Sequence, residues 1–277
     1  MAVPRIISME FSLAGTDNSY FRILTGPSVK YITVKPGALD ADSLMDMPLD
    51  FQNILPPLPY AENHWNSACV SRNAATGDLE CKLSNKDLPG VQNIWHSKII
   101  NFLDIEKTQQ LGLLAQECIW KQDTTTKPSE RDDKYQQNHM IAKIARFPWE
   151  IQYIEAETEI YKLMENRGIA PQFLGHIHEG GRVIGFLLEK VEGRPAGEGD
   201  LNTCQQTLGR LHDLKILHGD CNRYNFVVCS DDKAILLDFE TAKMEMNTEM
   251  LKEEMNTIEK RLSEDTDFGR GFIDIEE

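Results

Sequence analysis

Three oxygen-bearing side chains, Asp220, Asn225 and Asp238, flank two short apolar runs. The runs, residues 226–228 and 234–237, are joined by the polar turn Ser230-Asp231-Asp232-Lys233, a pattern that predicts a β-hairpin. His218, Gly219, Asp220 and Asn225 precede the first run, and Asp238 and Phe239 follow the second. Strand pairing would bring those ends together, so the three side chains can converge on one point. An amide oxygen and a carboxylate are hard donors suited to a divalent cation. A second carboxylate can orient a hydroxyl group and take its proton. An ordinary hairpin with acidic turns would account for any one of these residues taken alone.

The set as a whole resembles the protein-kinase-like superfamily, whose catalytic loop reads His-(Arg or Gly)-Asp, four residues and Asn, then, after a hairpin, Asp-Phe. Asn225 follows Asp220 by five positions and Asp238 follows Asn225 by thirteen, the intervals of that family. The resemblance implies ATP and Mg2+ as cofactors, Asp220 as the catalytic base, and Asn225 and Asp238 as the metal ligands. His218 would pack against the Asp-Phe segment, a structural role. Cys221 reads as filler, because no neighbour reads as a base for it.

The elements that must position this loop lie upstream. Met140-Ile141-Ala142-Lys143-Ile144-Ala145 reads as an apolar strand with one central lysine and resembles the Val-Ala-Ile-Lys strand of kinases, in which Lys143 would hold the nucleotide phosphates. A lysine snorkelling from a strand edge is the plainer alternative. A helix should follow, with Pro148 in its first turn and Gly168 at its end. Ile154, Ile160, Tyr161 and Met164 share one stripe of it, and Glu157 falls on that stripe. A carboxylate on an apolar face needs a partner. In the resemblance that partner is Lys143, with Glu155 as the fallback to Glu157. Residues 182–191 read as a strand that ends where kinases have the hinge, so main-chain groups of Glu189 to Val191 would meet the adenine edge, with Leu188 behind. The phosphate-covering loop is best sought at residues 111–117. Only Gly112 matches. The second and third glycine positions hold Leu114 and Glu117, and a carboxylate there would repel phosphate, so either the register is shifted or the loop is degenerate. Residues 201–214 should form an amphipathic helix with Leu201, Cys204, Leu208 and Leu211 inward, and His212 as a surface or capping residue.

The departures narrow the type. Gly219 stands in place of the Arg of His-Arg-Asp, Asn222 in place of a lysine, and Glu240 in place of the Gly of Asp-Phe-Gly. Residues 244–261 read as a helix with Leu251, Met255, Ile258 and Leu262 on one stripe. No activation segment, Ala-Pro-Glu motif or substrate-holding helices are recognisable beyond Asp238. The chain therefore resembles atypical, minimal kinase-like proteins of the aminoglycoside-phosphotransferase, RIO and lipopolysaccharide-kinase types. The phrases HGDxNRYNF, AKIARFPWE and GIAPxFLGH are also similar to a group of fungal kinase-like proteins.

The fold class expected is α+β: a bilobal kinase-like fold with a truncated C-terminal lobe and a β-rich N-terminal extension. Residues 1–100 would be the extension, 101–192 the small lobe, 193–262 the large lobe and 263–277 an acidic tail. Residues 1–60 read as strands, 56–59 as a stiff connector, 61–92 as a surface excursion and 123–138 as a mobile polar loop. A net charge of −15 argues against nucleic acid or an anionic membrane as a partner. Six cysteines without paired spacing fit a reduced interior, and the N-terminus lacks a signal-peptide layout, so the expected location is cytoplasmic, with the nucleus left open. The acceptor is unnamed by any motif, either a small-molecule hydroxyl or a protein. A nucleotide-binding scaffold or ATPase that acts through a protein partner is the alternative function.

Overall fold

The computed structural model describes residues 3–12, 14–121, 139–230 and 233–264. It divides into two compact units, residues 1–89 and 90–277.

The first unit is a five-stranded sheet in the order β1-β2-β3-β4-β5, with β1 Arg5–Glu10, β2 Ser19–Thr25, β3 Ser28–Val34, β4 Ser67–Arg72 and β5 Leu79–Ser84. Gly26 turns β2 into β3 at a φ of +57°, a left-handed position that a two-residue hairpin requires. β3 and β4 run parallel, so the chain must cross over between them, and helix α1, Ala41–Ile54, makes that crossover. Leu44, Met47 and Phe51 of α1 close on Phe21, Ile32, Val70 and Trp65 as one core. Two expectations fail here. Residues 41–54 are a helix: Asp40 caps it by accepting the Ser43 amide at 2.7 Å, and the kink near Pro48 and Asp50 hides its periodicity. Residues 61–92 are no surface excursion either, because β4 and β5 complete the sheet; only Ala68 and Val70 of β4 carry the inward alternation, a weak signal among polar neighbours.

The second unit has two lobes. Its six-stranded sheet runs β6-β10-β11-β9-β8-β7, from β6 Ile99–Asn101, β7 Ile105–Gln110, β8 Ala115–Trp120, β9 Met140–Ile144, β10 Phe173–Glu179 and β11 Arg182–Glu189. Helix α2, Ile151–Leu163, packs on β11. Met140 and Ala142 face an outer core with Cys118, Leu174 and Leu187, and alternation sends Ile141 and Lys143 to the opposite face. On that side one continuous core joins α2 to the large lobe.

The large lobe begins with the short β12, Arg194–Pro195, and α3, Leu201–Asp213. β13, Ile216–Leu217, then leads to the hairpin of β14, Phe226–Val228, and β15, Ala234–Leu236. β16, Lys243–Met244, pairs back on β13 before α4, Thr248–Ser263. The start of that last helix therefore lies later than residue 244. Asn247 caps it, accepting the Glu249 amide at 3.0 Å. Ile258 and Leu262 share a core with Cys204, Leu208 and Leu211 of α3. The polar loop expected at 123–138 and the tail after 264 lie outside the described residues. Among the described residues no helix is long and apolar enough to cross a membrane.

Candidate functional site

The loop between β13 and β14 is fixed by its own main chain and by β15. His218 is fully buried; its Nε2 lies 2.9 Å from the Leu237 carbonyl oxygen and its ring centroid 5.0 Å from that of Phe239. Burial depresses its pKa, against the pull of the Leu237 carbonyl oxygen and of Glu254, Asp238 and Asp220. Gly219 has φ +85°, and a Cβ there would meet the Thr241 carbonyl oxygen at 2.9 Å. A side chain there would be strained and would require Thr241 to shift. Asn222 caps the 3-10 turn at Arg223–Asn225 by accepting the Tyr224 and Asn225 amides at 2.9 and 3.2 Å, while its Nδ2 donates to Asp220 Oδ2 at 3.1 Å. Asn225 Nδ2 donates to the Asp220 carbonyl oxygen and Oδ2 at 2.9 and 3.2 Å. The Asn225 amide nitrogen is thus spent on Asp220, and its Oδ1 is the acceptor that remains.

On the sheet, Lys143 Nζ donates to both Glu157 carboxylate oxygens at 2.8 and 2.9 Å and to Asp238 Oδ1 at 2.6 Å. Glu157 is 2% exposed and also accepts the Phe239 amide at 3.1 Å. One side chain therefore links β9, α2 and the Asp238-Phe239 segment. Burial pulls the Lys143 pKa down, but the carboxylates of Glu157 and Asp238 outweigh it and hold the ammonium charged. Burial and the nearby Asp238 push the Glu157 pKa up against the pull of Lys143. Asp238 is half exposed; its burial raises the pKa, and the Lys143 ammonium more than reverses that. Asp238 itself sits at φ +59°, a conformation that Asp tolerates better than most residues. Glu155 does not join this group. It accepts the Gln92 and Asn93 amides at 2.5 and 2.9 Å.

Gly112 lies in the turn between β7 and β8, and the register sets Ala115 beside Lys143. The Leu111 and Gly112 amides both donate to the Ala115 carbonyl oxygen at 3.0 Å. Those two donors are spent inside the turn. Glu117 is not part of the turn. It lies two residues into β8, where Lys190 Nζ approaches it at 2.9 Å and His139 Nδ1 also contacts it. At the end of β11, the Glu189 amide donates to the Gln172 carbonyl oxygen at 3.0 Å, and Val191 is half-buried.

Two residues that sequence reading passed over complete the loop. Glu254 of α4 accepts the Gly219 amide at 2.6 Å and the His218 amide at 3.1 Å, and lies 2.7 Å from His212 Nε2. His212 is accordingly paired and largely buried rather than a surface group. The signal for Glu254 was present: it stands between Leu251 and Ile258 on the apolar stripe of α4, as Glu157 does on α2. Asn222, which in sequence stands only in place of a lysine, is the cap that holds Asp220 Oδ2.

The residues present suit a nucleotide phosphate and Mg2+. One ammonium faces two carboxylates, which leaves negative charge for a cation to neutralise, and Asn225 Oδ1 points away from its own hydrogen bonds. Among the described residues no three or more His, Cys, Asp and Glu side chains form a ready metal cage. A metal here would complete its shell with phosphate oxygens and water, the habit of Mg2+.

A model of the lipopolysaccharide kinase (Kdo/WaaP) family matches residues 196–271. No curated protein matches the chain in sequence. Among solved structures, the Cydia pomonella granulovirus kinase PK-1 aligns at 14% identity and a TM-score of 0.38, over 51% of this chain and 53% of that one, so the match spans about half of each. The matched family segment takes in α3, the β14–β15 hairpin with Asp220, Asn225 and Asp238 around it, and α4, within a mixed α+β fold.

Proposed function

We propose that the chain is an ATP- and Mg2+-dependent phosphotransferase acting on a hydroxyl group. The reading rests on one observation: Lys143 bridges Glu157 and Asp238, with the Asp220–Asn225 pair held on the same hairpin. Lys143 would bind the phosphates of ATP. Asp238 and Asn225 would hold Mg2+, which supplies charge neutralisation at the transferred phosphoryl group. Asp220, oriented by Asn222 and Asn225, would accept the proton of the acceptor hydroxyl. The hydroxyl oxygen forms a bond to the γ-phosphorus, the bond from that phosphorus to the β–γ bridging oxygen breaks, and ADP leaves. The acceptor is proposed as a small-molecule hydroxyl or a protein side chain, and the site as cytoplasmic.

The test is Mg-ATP turnover, read as phosphate release and as transfer to pooled alcohols, aminoglycosides and cell extract. Asp220→Ala and Asp238→Ala should each abolish it. Unchanged turnover in either variant would refute the assignment.

A second reading has its own support. The Leu111 and Gly112 amides, which would cover the phosphates, are taken up by Ala115. A nucleotide-binding scaffold that works through a protein partner needs no such cover. It predicts stabilisation by Mg-ATP, through ligand linkage, without transfer to any acceptor.

A further inference from the structure

Pairing sets Ala115 of β8 opposite Lys143 of β9, and Glu117 opposite Ile141. Residues two apart on a strand share a face, so Glu117 lies on the Lys143 side of the sheet. Its neighbours there are apolar: Ile141 on β9 and, opposite Ile141, Leu188 on β11. Past Lys143 in one direction the chain runs into Ala145 and Phe147, both buried. In the other direction Ile141 is only half-buried. A strand advances about 3.3 Å per residue, so a nucleotide with its phosphates at Lys143 would lay its base along Ile141, about 7 Å away. The roof over that base consists of Ile141, Leu188 and Glu117. Glu117 is 9% exposed; Lys190 Nζ, just beyond β11, lies 2.9 Å from its Oε2, and His139 Nδ1 contacts its Oε1. Burial raises the Glu117 pKa, and Lys190 and His139 more than reverse this, so the carboxyl stays below its ordinary value. At the same end the Glu189 amide is already donated to the Gln172 carbonyl oxygen, and Glu189 Oε1 accepts the Gln172 amide at 3.0 Å. A base here therefore finds one main-chain donor spent and an ion cluster in its roof. Burying an aromatic ring against apolar atoms is favourable, whereas drying an ion pair is costly, so the two effects oppose each other.

We propose that Glu117, held by Lys190 and His139, makes the site indifferent to the base: the chain grips the triphosphate and takes nucleoside triphosphates as a class rather than ATP alone. This rests on the phosphotransfer reading above and widens its phosphoryl donor. Lys190 and Lys143 act at opposite ends of the nucleotide, so changes at Glu117 leave the phosphate grip as it is. Val at 117 is the informative substitution, because it completes an apolar roof. Lys190 and His139, at 35% and 50% exposed, can then turn to water.

The experiment measures Kd by calorimetry for Mg-ATP, Mg-GTP, Mg-UTP and Mg-tripolyphosphate, with the wild-type chain, Glu117→Val and Glu117→Gln, at a temperature where melting curves show each folded. Phosphate transfer from each nucleotide is assayed alongside. Wild type should bind the three nucleotides within about fivefold of one another, since none gains from the base. Glu117→Val should tighten Mg-ATP by about fivefold or more, the return from exchanging a buried ion pair for an apolar roof, and leave Mg-tripolyphosphate within about twofold. A wider spread among the nucleotides in wild type, a smaller gain in Glu117→Val, or an equal gain for tripolyphosphate overturns the proposal. Should Glu117→Val fail to fold, Glu117→Gln decides: it removes the charge at the same size, and a gain for Mg-ATP below about twofold overturns the proposal. Base-indifferent binding without phosphate transfer would sink the phosphotransfer reading and leave this inference standing. Transfer from ATP alone would do the reverse.

Discussion

Replacing Lys143 with Met should expose how far the buried carboxylate of Glu157 depends on it. Lys143 supplies two of the three hydrogen bonds to that carboxylate, and the remaining donor is the Phe239 amide. A charge 2% exposed with a single amide partner will protonate rather than remain ionised. That escape limits the damage. An unfolded Glu titrates at about 4.3, and each pKa unit is worth about 1.36 kcal/mol, so holding Glu157 neutral at pH 7 costs about 3.7 kcal/mol. At pH 5 the same proton costs about 1 kcal/mol. The sign follows from linkage: the folded variant binds a proton that the unfolded chain has released, so its stability falls as pH rises. The predicted loss is about 3.7 kcal/mol at pH 7, shrinking toward about 1 kcal/mol at pH 5, in line with the cost of breaking buried ion pairs. Denaturant unfolding of wild type and Lys143→Met at pH 5, 6 and 7 measures it, and the difference between the two cancels other titrating groups. Lys143→Met/Glu157→Leu should remove the pH dependence of that difference, at the cost of about 1 kcal/mol for the orphaned Phe239 amide. A loss below about 1 kcal/mol at pH 7, or one that is flat with pH, would refute the dependence of Glu157 on Lys143.

Three further outcomes follow from other contacts. His176 is fully buried, with Nδ1 unpartnered, and burial together with His96 lowers its pKa to about 4. Its folded state binds fewer protons than the unfolded chain, so stability is full above about pH 6.5 and falls below it, by about 2 kcal/mol at pH 5; in His176→Phe that part of the pH dependence should vanish from denaturation curves. Gly219→Ala forces a side chain into a left-handed backbone against Thr241 and should lower stability by about 2 kcal/mol, while a thermal melt within a degree of wild type would contradict it. Asn222→Ala removes the cap of the 3-10 turn and one hydrogen bond to Asp220, so stability should drop by about 1 kcal/mol and turnover by a larger factor than that loss of folded protein explains.

What the sequence makes legible depends on how local the signal is. The His218 to Phe239 spacing is local, because a hairpin joins its two ends, and the positions stand out without any knowledge of the rest of the chain. Lys143 and Glu157 are readable for a different reason: each is a charged residue in an apolar pattern, on a strand in one case and on a helix stripe in the other. The N-terminal unit hides itself because its helix carries Pro48 and a kink, and because β4 and β5 are polar enough to pass for loops. The turn at Gly112 defeats reading in another way. Its chemistry lies in where two amides point, and main-chain direction leaves no mark on residue types.

Glu254 differs from these, since the rule that finds Glu157 also finds it. Both are carboxylates placed between apolar residues spaced three and four apart, and both bind main-chain amides of the candidate-site segments, Phe239 in one case and His218 and Gly219 in the other. The difference lies in the partner. Glu157 answers to a lysine, which a sequence displays as a charge. Glu254 answers to two backbone N–H groups and a histidine that looks like a surface residue, and such partners become visible only when the chain has folded around them. A buried carboxylate with no cation in view should therefore be read as a search for exposed amides. Gly219 is where that search would begin, because its φ of +85° and the 2.9 Å approach to the Thr241 carbonyl oxygen mark a backbone that a side chain would obstruct.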